Sequence, residues 1–467
     1  MLAPSPSPWV PPAGEREMGL ETYATSRPGT GGRWKISPED FEVDEISRYP
    51  LPDPQGRFTI VRAEAHDVEQ NALVQRIQRA LGLPPGAVGF AGTKDRRAVT
   101  RQLLSIPVRP ERLGELRLSG VRLEGAYCAA EGLALGHLYG NRFRLRVGGI
   151  EGPPEEIAAK AQGILEELRA LGGFANFFGP QRFGEVRPVT HVVGRALVKG
   201  SAKEAVDAYL IAGVGEKVPE GHEARAAYAD HRDASRALRE FPVTFSFERT
   251  LLRKLAEGKS GEQALRALPR SLRQLFVHAY QSFLFNRLLS RRLKEGLPLG
   301  GPIPGDRVIR LAPDGLDRGS LPVPVSEDNL PEASAWVRSG RARVAGALVG
   351  TETSLQEGVP GRLLREVLDE EEVQPRAFHL PEAPELSSRG TYRAFLAPLP
   401  LRLFPEGTPR AEQEHEGAHP SSQGGSLRFD LVLEKGQYAT VLLREFLKVG
   451  AAPVGTAGAL ASAPSSS

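Results

Sequence analysis

Asp95 sits in the turn Gly89-Phe90-Ala91-Gly92-Thr93-Lys94-Asp95-Arg96-Arg97, with Arg101 a little further on. Cations this close favour the ionised form of a carboxylate, which would suit Asp95 to act as a nucleophile or a base. Glycines at 89 and 92 let a backbone or ligand approach closely. The plainer reading of the same residues is an exposed Asp balanced by its neighbours. A second stretch, Asn176-Phe177-Phe178-Gly179-Pro180-Gln181-Arg182-Phe183-Gly184, combines aromatics, amides and an arginine with glycines. Such a mix can stack an extruded base and hydrogen-bond its edges; the commoner use of Phe is an aromatic-capped turn. A third match carries less. His415-Glu416-Gly417-Ala418-His419 fits H-E-x-x-H, but zinc chemistry needs a stiff helix projecting both imidazoles and a third ligand. Prolines 405, 409 and 420 and glycines 407, 424 and 425 surround it, so no metal site is expected. P-loop, dinucleotide and Cys-x-x-Cys motifs are missing, which leaves nucleotide hydrolysis and hydride transfer unsupported.

Elements that could hold these residues are legible. Phe41 to Ile46 and Phe58 to Val61 alternate as half-buried strands do. Residues 68–81 place Leu73, Ile77 and Leu81 on one helical face, with Gly82 and Pro84 as a stop. Leu103 to Val108 is a further apolar run. In Arg142-Phe143-Arg144-Leu145-Arg146-Val147 the three arginines share one face of a strand; this is either a solvated outer face or a phosphate-facing surface. Pro153 and Pro154 open a helix that Gly172 and Gly173 close. From about 200 to 390 the pattern is more helical, with candidates at 202–212, 250–257, 270–295 and 331–338. Leu427 to Leu433 returns as a strand, followed by a helix from Gln437 to Lys448.

Composition bounds the class. The 467 residues, 40% apolar and 25% charged, can bury a core. Cys128 is the single cysteine, so a disulfide scaffold is excluded. Of the 60 basic residues only 11 are lysine, leaving 49 arginines, which suits nucleic acid but also fits a compositional bias. No apolar run nears the about 18 residues of a membrane span, and no secretory signal opens the chain. A soluble cytoplasmic protein is expected.

The blocks Pro38-Glu39-Asp40-Phe41, Phe90 to Gln102, Gly136-His137-Leu138 with Gly140-Asn141-Arg142-Phe143, Asn176 to Gly184, Tyr280-Gln281-Ser282 with Leu284-Phe285-Asn286, and Gly436 to Thr440 with Arg444-Glu445 occur in this order. Together they resemble the TruD family of tRNA pseudouridine(13) synthases over about residues 33 to 448. The resemblance implies an α+β fold, in which a pseudouridine-synthase core (mixed sheet with flanking helices) carries an inserted, more helical TRUD-type domain. Taken with the Pro/Gly/Ser/Ala-rich composition of both ends and of 405–426, which are extra to the family pattern, it divides the chain into a disordered lead-in (1–31), a first core part (32–190), the insertion (191–390), a second core part (391–449) with a surface insertion at 405–426, and a disordered tail (450–467). The implied activity isomerises uridine 13 of tRNA, breaking N1–C1′ and rejoining the uracil through C5, with Asp95 as the catalytic carboxylate. The implied substrate-binding residues are Phe41, Asn176, Phe178 and Tyr438, with Lys35, Lys94 and Arg182 near the phosphates or pocket. No cofactor, metal or obligatory protein partner is implied. Two alternatives stay open: a catalytically idle RNA-binding protein on this scaffold, or the same chemistry on another RNA.

Overall fold

A computed structural model describes residues 6–454 apart from 48–49, 115, 185–186, 212–215, 217, 313–320 and 406–423. The fold is α+β, built on a nine-stranded mixed sheet. Strand beside strand, its path runs Leu401–Pro405, Gly425–Glu434, Gly140–Ile150, Phe41–Ile46, Val99–Ile106, Phe58–His66 and Val121–Ala129. Arg33–Trp34 joins beside Gly140–Ile150, and Gly89–Phe90 beside Val99–Ile106. Phe41–Ile46 and Val99–Ile106 run parallel, the other pairs antiparallel.

Strand alternation divides this sheet into two faces. Phe41, Val43, Leu145, Val147, Leu427, Phe429, Leu431 and Leu433 join the core, against Ile157, Ile164, Leu165 and Leu168 of the helix Pro154–Leu171. Pro154 suits that helix's first turn, and Gly172 ends it at φ 83°, where a side chain would be strained. The opposite face carries Arg142, Arg144 and Arg146, each met by a carboxylate. Arg142 reaches Asp430 at 2.5 Å, Arg144 reaches Glu42 and Asp44 at 2.5 and 2.8 Å, and Arg146 faces Asp40 at 3.6 Å. This arginine stripe is therefore largely neutralised within the chain, which favours the solvated outer face over a phosphate-facing surface.

The chain leaves the core at Phe174–Ala175 and re-enters at Leu396–Ala397, and those two short strands pair with each other. Between them, helices from Thr190–Val198 to Gly261–Arg266 surround a separate apolar cluster that includes Val206, Leu210, Tyr228, Leu251 and Phe276. The long helix Arg270–Lys294 buries Phe276 there and Leu284, Phe285 and Leu289 in the main core. This middle segment also holds a four-stranded antiparallel sheet in the order Val323–Pro324, Arg307–Arg310, Ala342–Leu348, Thr391–Ala394.

The lead-in departs from expectation. Residues 1–31 are Pro/Gly/Ser-rich, yet Met18, Leu20, Tyr23, Ala24 and Thr25 are buried. The Glu445 carboxylate accepts Ala24 N–H at 3.1 Å, Thr25 N–H at 3.1 Å and the Thr25 hydroxyl at 2.9 Å. Trp9–Val10 pairs with Ala452–Pro453, so both ends of the described chain are tied together. Local composition does not register partners more than 400 residues away. Most of the 405–426 insertion, with its His415–His419 motif, and the tail from 455 onward lie outside the described residues. Among the described residues, no helix is long and apolar enough to cross a membrane.

Candidate active site

Asp95 precedes the strand Val99–Ile106, whose first residue pairs with Glu42 next to Phe41. Its carboxylate, 32% exposed, lies 3.4 Å from the Lys35 ammonium. That ammonium sits 4.0 Å from the Phe41 ring centroid and 4.9 Å from that of Trp34, and the two rings are 5.6 Å apart. Cation–π attraction to two rings and the Asp95 charge together hold a lysine tail that is itself mostly buried. Lys35 adopts φ 56°, a left-handed conformation uncommon for a residue with a side chain; such strain persists where the surroundings enforce it.

The four cations closest to Asp95 in sequence point elsewhere. Lys94 turns inward to Glu45 at 2.6 Å, with both side chains buried. Arg96 faces Asp67 at 3.9 Å, Arg97 donates to the Ile36 carbonyl at 2.8 Å, and Arg101 bridges Glu42 and Glu64. The counter-ion of Asp95 comes from 60 residues upstream. Lys94, expected near the phosphates or pocket, is engaged by Glu45 with its side chain 5% exposed.

The second group forms around Phe178. Its ring meets Tyr438 and Phe285 edge-on at 6.2 and 5.7 Å. The guanidinium of Arg393 lies 4.1 Å from the Phe178 centroid and that of Arg182 lies 5.5 Å away. Asn176, buried, donates through Nδ2 to the Ala394 carbonyl at 2.9 Å. Its Oδ1 and backbone carbonyl accept Arg393 N–H groups at 2.6 and 2.9 Å, so its amide acts first as a strut of the loop. Asn286, wholly buried, accepts the Phe178 N–H at 2.8 Å and donates to the Phe178 and Met18 carbonyls at 3.1 and 3.0 Å. Arg182 donates through Nε to Ser282 at 3.0 Å. Gly179 is required by close approach: a Cβ there would lie 2.7 Å from Thr440 Oγ1 and 3.1 Å from the Tyr438 ring.

The structure thus joins Lys35, Phe41 and Asp95 in one group, and Asn176, Phe178, Arg182 and Tyr438 in another. Phe41 and Phe178 belong to the same continuous core, on which Tyr438 also packs. Sequence reasoning singled out neither Trp34 nor Arg393. Trp34-Lys35 offered a weak signal as an aromatic–cation dipeptide; Arg393, within a four-residue strand, offered none. Among the described residues, no group of three or more His, Cys, Asp or Glu is placed to hold a metal ion.

His191 supports the same loop from beneath. Its Nε2 bonds the Glu17 carbonyl at 2.9 Å, and its ring lies between Phe183 and Phe283. Burial pushes its pKa down from 6.5 to about 4. The unfolded chain therefore takes up a proton near pH 6.5 that the folded chain refuses until about pH 4. Stability present above pH 6.5 is lost as the pH falls toward 4, by roughly 3 kcal/mol over that window. Denaturant midpoints measured across this range should show the fall in wild type and a flatter profile in His191→Gln.

Comparison with known proteins defines the class. The profile of a family described as tRNA pseudouridine synthase D (TruD) matches residues 17–446. A Pyrococcus abyssi protein named "Probable tRNA pseudouridine synthase D" is 37% identical over 428 residues, 91% of this chain and 98% of its own length. One of the same name from Methanococcoides burtonii is 34% identical over 437 residues, 93% of this chain and 97% of its own. The crystal structure of the "Putative tRNA pseudouridine synthase D (TruD)" from Methanosarcina mazei superposes with a TM-score of 0.81 at 32% identity, covering 94% of this chain and 98% of that one. The fold is thus that of a pseudouridine synthase. The chain belongs to the TruD family.

Proposed function

We propose that this protein isomerises uridine 13 of tRNA to pseudouridine and that Asp95 is the catalytic carboxylate. The observation that carries the reading is the Asp95–Lys35 pair at 3.4 Å beside the Phe41 ring. It is a partly exposed carboxylate fixed by a cation that is itself fixed by aromatic faces. Such a group can attack C1′ or the base, or take the C2′ proton, and the geometry is compatible with each route. Whichever operates, the atoms balance within the nucleoside. N1–C1′ breaks, C5–C1′ forms, the C5 hydrogen leaves as a proton, and N1 gains one. No electrons are exchanged with a cofactor. Phe41, Phe178 and Tyr438 would flank the extruded uracil, with Asn176 holding the loop that presents Phe178.

The position is tested by substrate. A tRNA transcript with uridine at 13 should gain one pseudouridine there, read by nucleotide-resolution chemical mapping. The same transcript with cytidine at 13 should gain none. Modification elsewhere in both transcripts would keep the chemistry but move the target. An unmodified first transcript that nevertheless binds would favour an idle RNA-binding protein.

A further inference from the structure

Buried arginines elsewhere in this protein have carboxylate partners. Arg225 meets Glu216 and Glu248, Arg292 meets Asp306, and Arg444 meets Glu15 and Glu445. Arg182 and Arg393 differ. Among the described residues neither has a carboxylate within ion-pair distance, yet both guanidiniums lie against the one Phe178 ring, at 5.5 and 4.1 Å. Two cations sharing a partly desolvated site without an anion are costly, because burial penalises unpaired charge. The strain registers in their titration. Burial draws Arg393 down to about 10, Tyr438 opposes the shift and Arg182 adds to it. Arg182 is lowered too, again chiefly by burial.

The hydrogen bonds show which ends are committed. Arg393 spends Nε and Nη2 on Asn176 and the Gly436 carbonyl, the last at 2.8 Å. Arg182 spends Nε on Ser282. Arg393 Nη1 and both terminal nitrogens of Arg182 bond no group among the described residues. They are also not among the polar atoms sealed from solvent without a partner. Three N–H-bearing ends beside one aromatic ring therefore keep some solvent exposure and no protein partner among the described residues, and planar guanidinium forks of this kind can grip tetrahedral oxyanions.

We infer that Arg182 and Arg393 form a two-guanidinium subsite that takes a phosphodiester group of the bound RNA, beside the base stacked near Phe178. This rests on the proposed RNA-modifying reading and adds to it the anion that completes the Phe178 group. Arg393 then does two things: it struts Asn176 and it supplies charge.

The test is the salt dependence of binding to an unmodified tRNA transcript, measured for wild type, Arg182→Gln, Arg182→Lys and Arg393→Gln. Each phosphate contact contributes about 1 to the slope of log affinity against log salt. Arg182→Gln, whose side chain among the described residues is hydrogen-bonded to Ser282 alone, should lose about 1 from the slope, and Arg182→Lys should keep it. Arg393→Gln should lose a similar amount in a preparation whose unfolding midpoint shows it folded. Arg142→Gln, on the outer sheet face, should leave the slope unchanged. Wild-type slope and affinity in Arg182→Gln would overturn the inference. So would loss confined to kcat, which would assign these cations to charge on the uracil instead. Absence of salt-dependent tRNA binding by wild type would overturn the RNA reading itself.

Discussion

Asp95→Asn is expected to slow pseudouridine formation by at least about 10⁴-fold, the scale seen when a catalytic nucleophile is removed, with tRNA affinity kept or improved. The substitution is nearly isosteric, and its amide oxygen can still accept from Lys35, now 3.4 Å from the carboxylate. The fold around Phe41 and Trp34 should therefore survive. What disappears is the negative charge, and with it both attack and proton abstraction. Affinity should not fall, because removing an anion beside a polyanion relieves repulsion. Single-turnover rates and equilibrium binding on the same tRNA separate the two effects. A modest rate loss matched by weaker binding would make Asp95 a contact rather than the reacting group.

Asp95 is singled out in the sequence by the family resemblance, whereas the charges that actually surround it are not legible there. Lys94, Arg96, Arg97 and Arg101 crowd it in sequence, but turn and strand geometry send each to a different acceptor. The effective cation, Lys35, arrives through tertiary structure, and a one-dimensional reading cannot rank it. Long helices were legible for the opposite reason. Arg270–Lys294 and Pro154–Leu171 carry their own periodicity, with Gly172 to stop the latter. The strand Ala342–Leu348, rich in small residues, lacks the β-branched and aromatic signature and is held by its neighbours. The lead-in failed as a prediction because its stability is borrowed from Glu445 and Lys448 at the far end of the chain.

That borrowing sets the largest expected stability effect. Glu445→Ala should cost about 3–5 kcal/mol, the range for removing one member of a buried charged network. The Glu445 side chain is 1% exposed and receives two backbone N–H groups and a hydroxyl from Ala24 and Thr25, with Arg444 at 3.5 Å. Truncation orphans those donors and leaves the buried Arg444 and Lys448 less compensated. Glu445→Gln keeps an acceptor and should cost less. The consequence should reach the candidate site, since the same N-terminal segment supplies the Met18 carbonyl to Asn286, which clamps Phe178. Equilibrium denaturation would check this; a cost under about 1 kcal/mol for Glu445→Ala would contradict a load shared through that carboxylate.

Forming the C5–C1′ bond must expel the hydrogen on C5, so the reaction can be read without isolating its product. Transfer RNA carrying tritium at C5 of its uridines should release one equivalent of label to water with wild-type protein, and none above background with Asp95→Asn. Release by Asp95→Asn at the wild-type rate would contradict the account at its centre.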